Sequence, residues 1–288
     1  MEVLLLAVAV VGISLSAPLA AYVAAPALAI AFWRNAMAGA VLLPRLIIRR
    51  RVGRLGRGDS ALCLLAGLFL AAHFGTWIPS LTMTSVAAST ALVCTTPLWA
   101  AAIARVRGFP VPVAVWTGMA IALLGVVIVS GLGGDTSTRA LVGNLLALAG
   151  GACMAAYLSV GEKVRRRVDN ETYTALCYSA AAGALLIVCL ATDTRLWGYE
   201  PGTWVGLVAL TVAGQLVGHS LLNRALSVVS GSTVAVISLL EVPGAALIAA
   251  VWLGQMPAVT VYLGVAVIMF GIHLAIRAGH RPGGVNGP

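Results

Sequence analysis

The chain has 288 residues, of which 60% are hydrophobic and only 9% charged, with a mean hydropathy of +1.01. Soluble domains carry about a quarter charged residues, so this composition excludes a water-soluble globule and predicts an integral membrane protein. The net charge of +9 raises nucleic acid as a partner, but the basic residues fall in alternate short loops, which is the pattern of membrane topology and not of nucleic-acid binding.

A helix needs about 20 mainly apolar residues to cross the hydrocarbon core. Runs of that kind, separated by charge clusters or Gly/Pro turns, predict ten spans: 3–22, 26–48, 60–79, 84–104, 112–131, 141–161, 173–191, 202–222, 230–253 and 258–277. The first run carries small residues that mimic a signal-peptidase site, "SAPLAAYVAA". However, Glu2 stands where a signal peptide carries positive charge, so the run reads as a retained first span. The tail 278–288 is polar and rich in Gly and Pro, and reads as disordered and cytoplasmic.

With the N-terminus in the cytoplasm, the cytoplasmic connections and the tail hold fifteen basic residues: Arg45, Arg49, Arg50, Arg51, Arg54, Arg57, Arg105, Arg107, Lys163, Arg165, Arg166, Arg167, Arg224, Arg277 and Arg281. The opposite loops hold two, Arg139 and Arg195. This asymmetry places both termini in the cytoplasm. Arginine outnumbers lysine 17 to 1, a bias of GC-rich bacterial genomes, which points to a bacterial inner (plasma) membrane. The five cysteines all lie in apolar stretches without a C-x-x-C and read as buried, inert thiols.

The two halves resemble each other at an offset of 145. "LTMTSVAASTALVCTTP" (81–97) lies against "LSVVSGSTVAVISLLEV" (226–242), and "GMAIALLG" (118–125) against "GVAVIMFG" (264–271). A repeat of five spans is odd, so the second copy enters the membrane from the other side. Such inverted repeats build many secondary transporters, with the substrate site near the midplane between them. The glycines of these paired motifs read as close-packing positions, within the chain or against a second copy.

The segments "AFWRNAMAGAVLLP", "TSVAASTALVCTTPLWAAAIA" and "LLEVPGAALIAAVWLGQ", set in two five-span halves, resemble the EamA family of the drug/metabolite transporter superfamily over residues 3–277. The resemblance implies an all-α protein of ten transmembrane helices in two repeats, 3–131 and 141–277, exporting amino acids, metabolites or toxic compounds. Where the family's ninth-span motif often ends "LGE", this chain has Gln255, so no role of that acid carries over.

No Walker loop, G-x-S-x-G, H-E-x-x-H or metal-spaced His/Cys pair is present, which reads against an enzyme, a cofactor or a metal site. The candidate site residues are therefore the ionisable and aromatic groups at membrane depth. Glu241 stands alone in an apolar run, where an ionised acid costs about 2.5–3.5 kcal/mol on insertion scales. It reads as a proton or cationic-substrate site, a structural ion pair, or a neutral hydrogen bonder. Pro243, two residues on, frees a carbonyl near residue 239 and predicts a kink there.

Arg34 reads either as snorkelling to the headgroups beside Trp33 or as facing inward toward a substrate carboxylate or Glu241. His73 and His219 occupy nearly equivalent places in the two repeats and read as cavity or packing residues. His273 reads as structural. Trp77, Trp99 and Tyr157 are candidates to shape a pocket, against ordinary core or belt packing.

The expected function is a secondary transporter working by alternating access, its partners a small-molecule substrate and the lipid bilayer, with a proton as a candidate coupling ion. The rival classes are a non-transporting scaffold or subunit of a larger complex, which needs no midplane acid, and an intramembrane enzyme.

Overall fold

The computed structural model describes residues 2–48, 55–108, 112–128, 137–229 and 231–279, and among these residues it contains helices and no β-strand. The tail beyond Gly279 and Arg49, Arg50, Arg51, Arg54 and Arg281 lie outside the described residues. In chain order the helices are α1 (Glu2–Tyr22), α2 (Ala27–Ile48), α3 (Arg57–Ser80), α4 (Val86–Val93), α5 (Thr96–Val106), α6 (Val113–Val127), α7 (Thr138–Arg165), α8 (Asn170–Ala191) and α9 (Pro201–Leu210). A π-helical segment, Thr211–His219, joins α9 to α10 (Ser220–Ala225). Then come α11 (Gly231–Ile237), a 3-10 turn at Ser238–Leu240, α12 (Glu241–Leu253) and α13 (Val259–Gly279).

Among the described residues, seven helical stretches are long and apolar enough to cross a bilayer, and three apolar ones are shorter. The shorter three, Val113–Ala122, Ser238–Leu253 and Val259–Gly271, stand where the fifth, ninth and tenth spans are expected. In the ninth the physical cause is visible. Pro243 has no N–H to give the carbonyl four residues back, and the chain changes pitch at Ser238–Leu240 just before it. The fourth span is also broken, at Cys94 and Thr95, with Pro97 in the first turn of α5.

The principal packing pairs each join one half of the chain to the other. The third span (α3) packs on the sixth (α7), and the first (α1) on the eighth (the π segment). The fourth (α4, α5) packs on the sixth, and the first on the ninth (α12). The second (α2) meets the seventh (α8), and the fifth (α6) meets the tenth (α13). Exchange the halves and this pattern maps onto itself.

Small residues set several of these distances. A Cβ on Gly271 would lie 2.5 Å from the Gly118 carbonyl, and one on Gly125 would lie 2.7 Å from the Gly264 carbonyl. The paired glycine motifs thus pack α6 against α13 within one chain.

Large apolar side chains such as Ile187, Val205, Leu247 and Val251 point outward, while Arg34, Asn35, Gln215 and Glu241 are buried. That distribution suits a lipid solvent, in which exposed alkyl groups cost nothing and polar groups must find partners inside.

The two ends differ in chemistry. At one, Arg167 pairs with Asp59 at 3.4 Å and Arg165 donates from Nε to the Asn223 carbonyl at 3.0 Å. At the other, Trp33 donates from Nε1 to the Leu196 carbonyl at 2.9 Å and packs edge-on against Trp197 and Trp204. Tyr22 stacks on Trp252 at this second end. Aromatic clusters of this kind belong at membrane interfaces.

Candidate functional site

The breaks of the fourth and ninth spans face each other. The Cys94 thiol lies 3.9 Å from the Ser238 carbonyl, so two interrupted helices bring their irregular backbone to one place. Beside this junction is a cavity lined by His73 and Trp77 of α3, Tyr157 of α7, His219 at the end of the π segment, Cys94 and Glu241. Its volume is about 50 Å³, room for a few water molecules.

Glu241 is the first residue of α12 after the 3-10 turn and is 9% exposed. Among the described side chains its carboxylate has no hydrogen-bond or ion-pair partner. The carboxyl group lines the cavity.

His73 Nδ1 lies 2.9 Å from the Gly150 carbonyl. A carbonyl only accepts, so Nδ1 carries the proton, and in the neutral ring Nε2 is left as an acceptor. The ring stacks on Trp77 and its centroid lies 6.3 Å from that of His219. The buried indole Nε1 of Trp77 has no hydrogen-bond partner among the described residues. Tyr157 is fully buried on the cavity wall and stacks on Tyr173.

Arg34 is fully buried, which corrects the snorkelling alternative. Its Nε donates to Gln215 Oε1 at 2.9 Å, its Nη1 donates to Ser16 Oγ at 3.0 Å, and its guanidinium covers the Phe74 ring at 3.9 Å. Phe74 in turn packs edge-on against His219. Arg34 and Glu241 interact electrostatically, but no salt bridge joins them. The arginine is thus a fixed positive charge behind the cavity wall, anchored to the π segment, with Nη2 still unpartnered.

The π segment itself explains the anchoring. Its wider turn presents Gln215 inward, with Nε2 donating to Asn35 Oδ1 at 3.1 Å. The Gln215 carbonyl accepts from Ser220 Oγ at 3.1 Å and from the Tyr178 hydroxyl at 3.3 Å.

Of the residues singled out from the sequence, Glu241, His73, His219, Trp77 and Tyr157 share one cavity, and Arg34 stands one layer behind it. Trp99 lies elsewhere. It is 39% exposed, donates from Nε1 to Thr95 Oγ1 at 3.2 Å, and borders an outer groove. His273 is exposed. Gln255, in the place of the family's acid, accepts from the Val86 amide at 3.2 Å, tying the end of the ninth span to the start of the fourth. Sequence reading passed over Ser16, Asn35, Tyr178 and Gln215, although two amides and a tyrosine within apolar runs were a usable signal.

Seven bilayer-length apolar helices, with buried ionisable groups and no soluble domain among the described residues, define a multi-pass membrane protein. The family model described as the EamA-like transporter family matches residues 1–131 and 141–277, and the chain belongs to that family. No curated protein matches the sequence. A protein of known crystal structure, 18% identical, matches with a TM-score of 0.69 over 97% of this chain and 99% of its own, so the fold is shared.

Proposed function

We propose that this protein is a secondary transporter of the drug/metabolite type, with ten membrane passes in two inverted five-helix repeats, 3–131 and 141–277. It works by alternating access and exports a small metabolite, amino acid or drug across a bacterial inner membrane. Both termini are cytoplasmic in this reading.

The observation that carries the proposal is the meeting of two broken helices, at Cys94 and Ser238, beside a cavity holding an unpartnered carboxyl group and two imidazoles. Interrupted helices at the midplane of inverted repeats are where transporters place substrate and coupling ions. A contact pattern that survives exchange of the halves is the symmetry expected of an inverted repeat, which supports this reading. A space of about 50 Å³ admits no metabolite, so in this reading the halves part for substrate to enter. Glu241 is the proton or substrate site, and Trp77 and the two histidines contact the substrate.

The test is efflux. A strain overexpressing the protein is screened for tolerance to amino acids and toxic compounds, and hits are followed as labelled compounds in liposomes carrying the purified protein. The expected result is raised tolerance and faster efflux for a chemically related set, with the pH dependence of that efflux lost on Glu241→Gln. Equal tolerance for every compound, with no flux in liposomes, would remove the transport reading.

A further inference from the structure

The basic end carries a second concave space, of about 780 Å³, between α5, α7 and the start of α11. Arg107, Lys163, Arg166 and Arg167 line it, against a single carboxylate, Glu162. Both oxygens of that acid are engaged: Oε1 accepts from Arg166 Nη2 at 3.1 Å, and Oε2 accepts from the Gly231 amide at 3.0 Å. Lys163 has no ion-pair partner among the described residues. Membrane topology requires basic residues in these loops, but it does not require them to surround a pocket.

A second observation points to the kind of ligand. An apolar groove of about 260 Å³ runs along α5 beside the pocket and shares Ile103 and Arg107 with it. Its walls are Trp99, Ala102, Val106 and Ala152, and Val106 is 89% exposed. From Trp99 to Val106 the groove follows about 10 Å of helix. In a membrane protein such an outward-facing apolar channel meets acyl chains. Arg107 stands where charge gives way to hydrocarbon.

We propose that this paired pocket and groove binds an anionic phospholipid, its phosphate headgroup among Arg107, Lys163 and Arg166 and one acyl chain along α5. Basic pockets between membrane helices recognise anionic headgroups in this way. None of its basic residues lines the central cavity, with which the pocket shares only Leu158, and the site stands whether or not the chain transports. A soluble phosphate ester shares the headgroup chemistry but makes no use of the groove.

The experiment measures thermal unfolding of the whole protein in neutral detergent, with retention of lipid by native mass spectrometry. The additions are phosphatidylglycerol, phosphatidylcholine or glycerol phosphate. Phosphatidylglycerol should raise the unfolding temperature and remain bound, and phosphatidylcholine should do neither. Lys163→Gln and Arg107→Gln should each weaken phosphatidylglycerol binding about fivefold, while Arg107→Lys and Arg195→Gln leave it unchanged. Ala102→Trp, which fills the groove, should lower lipid retention with all four basic residues in place.

Equal binding of the two lipids, or phosphatidylglycerol binding untouched in the Lys163→Gln, Arg107→Gln double variant, would overturn the proposal. Stabilisation by glycerol phosphate equal to that by the lipid would also overturn it, assigning the pocket to a soluble anion.

Discussion

Arg34 and Gln215, 181 positions apart in sequence, are joined inside the membrane region by an Nε-to-Oε1 hydrogen bond of 2.9 Å. The bond ties the second span to the π segment that ends at the cavity histidine His219. A charged donor stripped of its acceptor in a buried site loses about 1.5–3 kcal/mol, and Gln215→Leu also takes the donor from Asn35. The expected outcome is a lower unfolding temperature in detergent with membrane insertion intact. A double variant, Arg34→Met with Gln215→Leu, should lose less than the sum of the two single changes. Strict additivity would mean that the bond contributes nothing.

How much of this was legible follows from what lipid makes costly. Glu241, His73 and His219 stood out because an ionisable group in an apolar run must have a partner or a cavity, and the three line one space. Pro243 announced the break in the ninth span, and Pro97 announced the one in the fourth just as plainly, though only the first was read. Arg34 was ambiguous because a side chain of its length near a helix end reaches either water or the core. Trp99 was not placeable, since a helix apolar all round gives no sign of which face meets lipid. The change to π pitch at Thr211 depends on Tyr178, Ser220 and Asn35, whose approach no local pattern encodes.

The α6–α13 contact offers a test that is independent of function. Gly271 has the Gly118 carbonyl and the Ala122 amide within 2.5 Å of where a Cβ would stand. Those neighbours are backbone and move only if the helices part. Gly271→Ile should therefore destabilise by about 1–3 kcal/mol, the usual range for overpacking, read as reduced expression and earlier unfolding in detergent. Gly183, which has open space around it, is the control, and Gly183→Ala should leave both unchanged. Equal behaviour of the two variants would mean that α6 and α13 are not in close contact.

Orientation rests on the charge asymmetry and on the contact between Asp59 and Arg167, which sets the second-to-third and sixth-to-seventh connections at the same end. Reporter fusions after residues 55, 108 and 168 should report cytoplasm, and those after 135 and 197 the outside. Fusions at 55 and 168 on opposite sides of the membrane would be incompatible with an inverted repeat.

Access to the cavity is measurable with thiols. Cys94 already lines it, so the background for the experiment is a variant with all five cysteines changed to alanine. His219 is half-buried and His73 is 4% exposed. A small water-soluble reagent should therefore label His219→Cys faster than His73→Cys, and a transported substrate should protect both. Cys94 restored alone should behave in the same way. Should none of the three label in any condition, water does not enter this space and the histidines are packing residues.

The last prediction concerns the carboxyl group at the helix break. Glu241 has no hydrogen-bond or ion-pair partner among the described side chains, and Arg34 is committed to Ser16 and Gln215. Little packing or pairing therefore depends on its charge. Glu241→Gln keeps the shape and much of the hydrogen-bonding capacity while removing the titration. The expected variant folds, inserts and melts like the parent, yet its transport no longer varies between mildly acidic and neutral pH. Glu241→Ala should lose the same dependence, with a modest drop in unfolding temperature from the space it leaves. A structural ion pair would give the reverse result: Glu241→Gln would lower expression and melting temperature, and a compensating change at Arg34 would restore them. If Glu241→Gln transports with an unaltered pH profile, proton coupling lies elsewhere in the molecule.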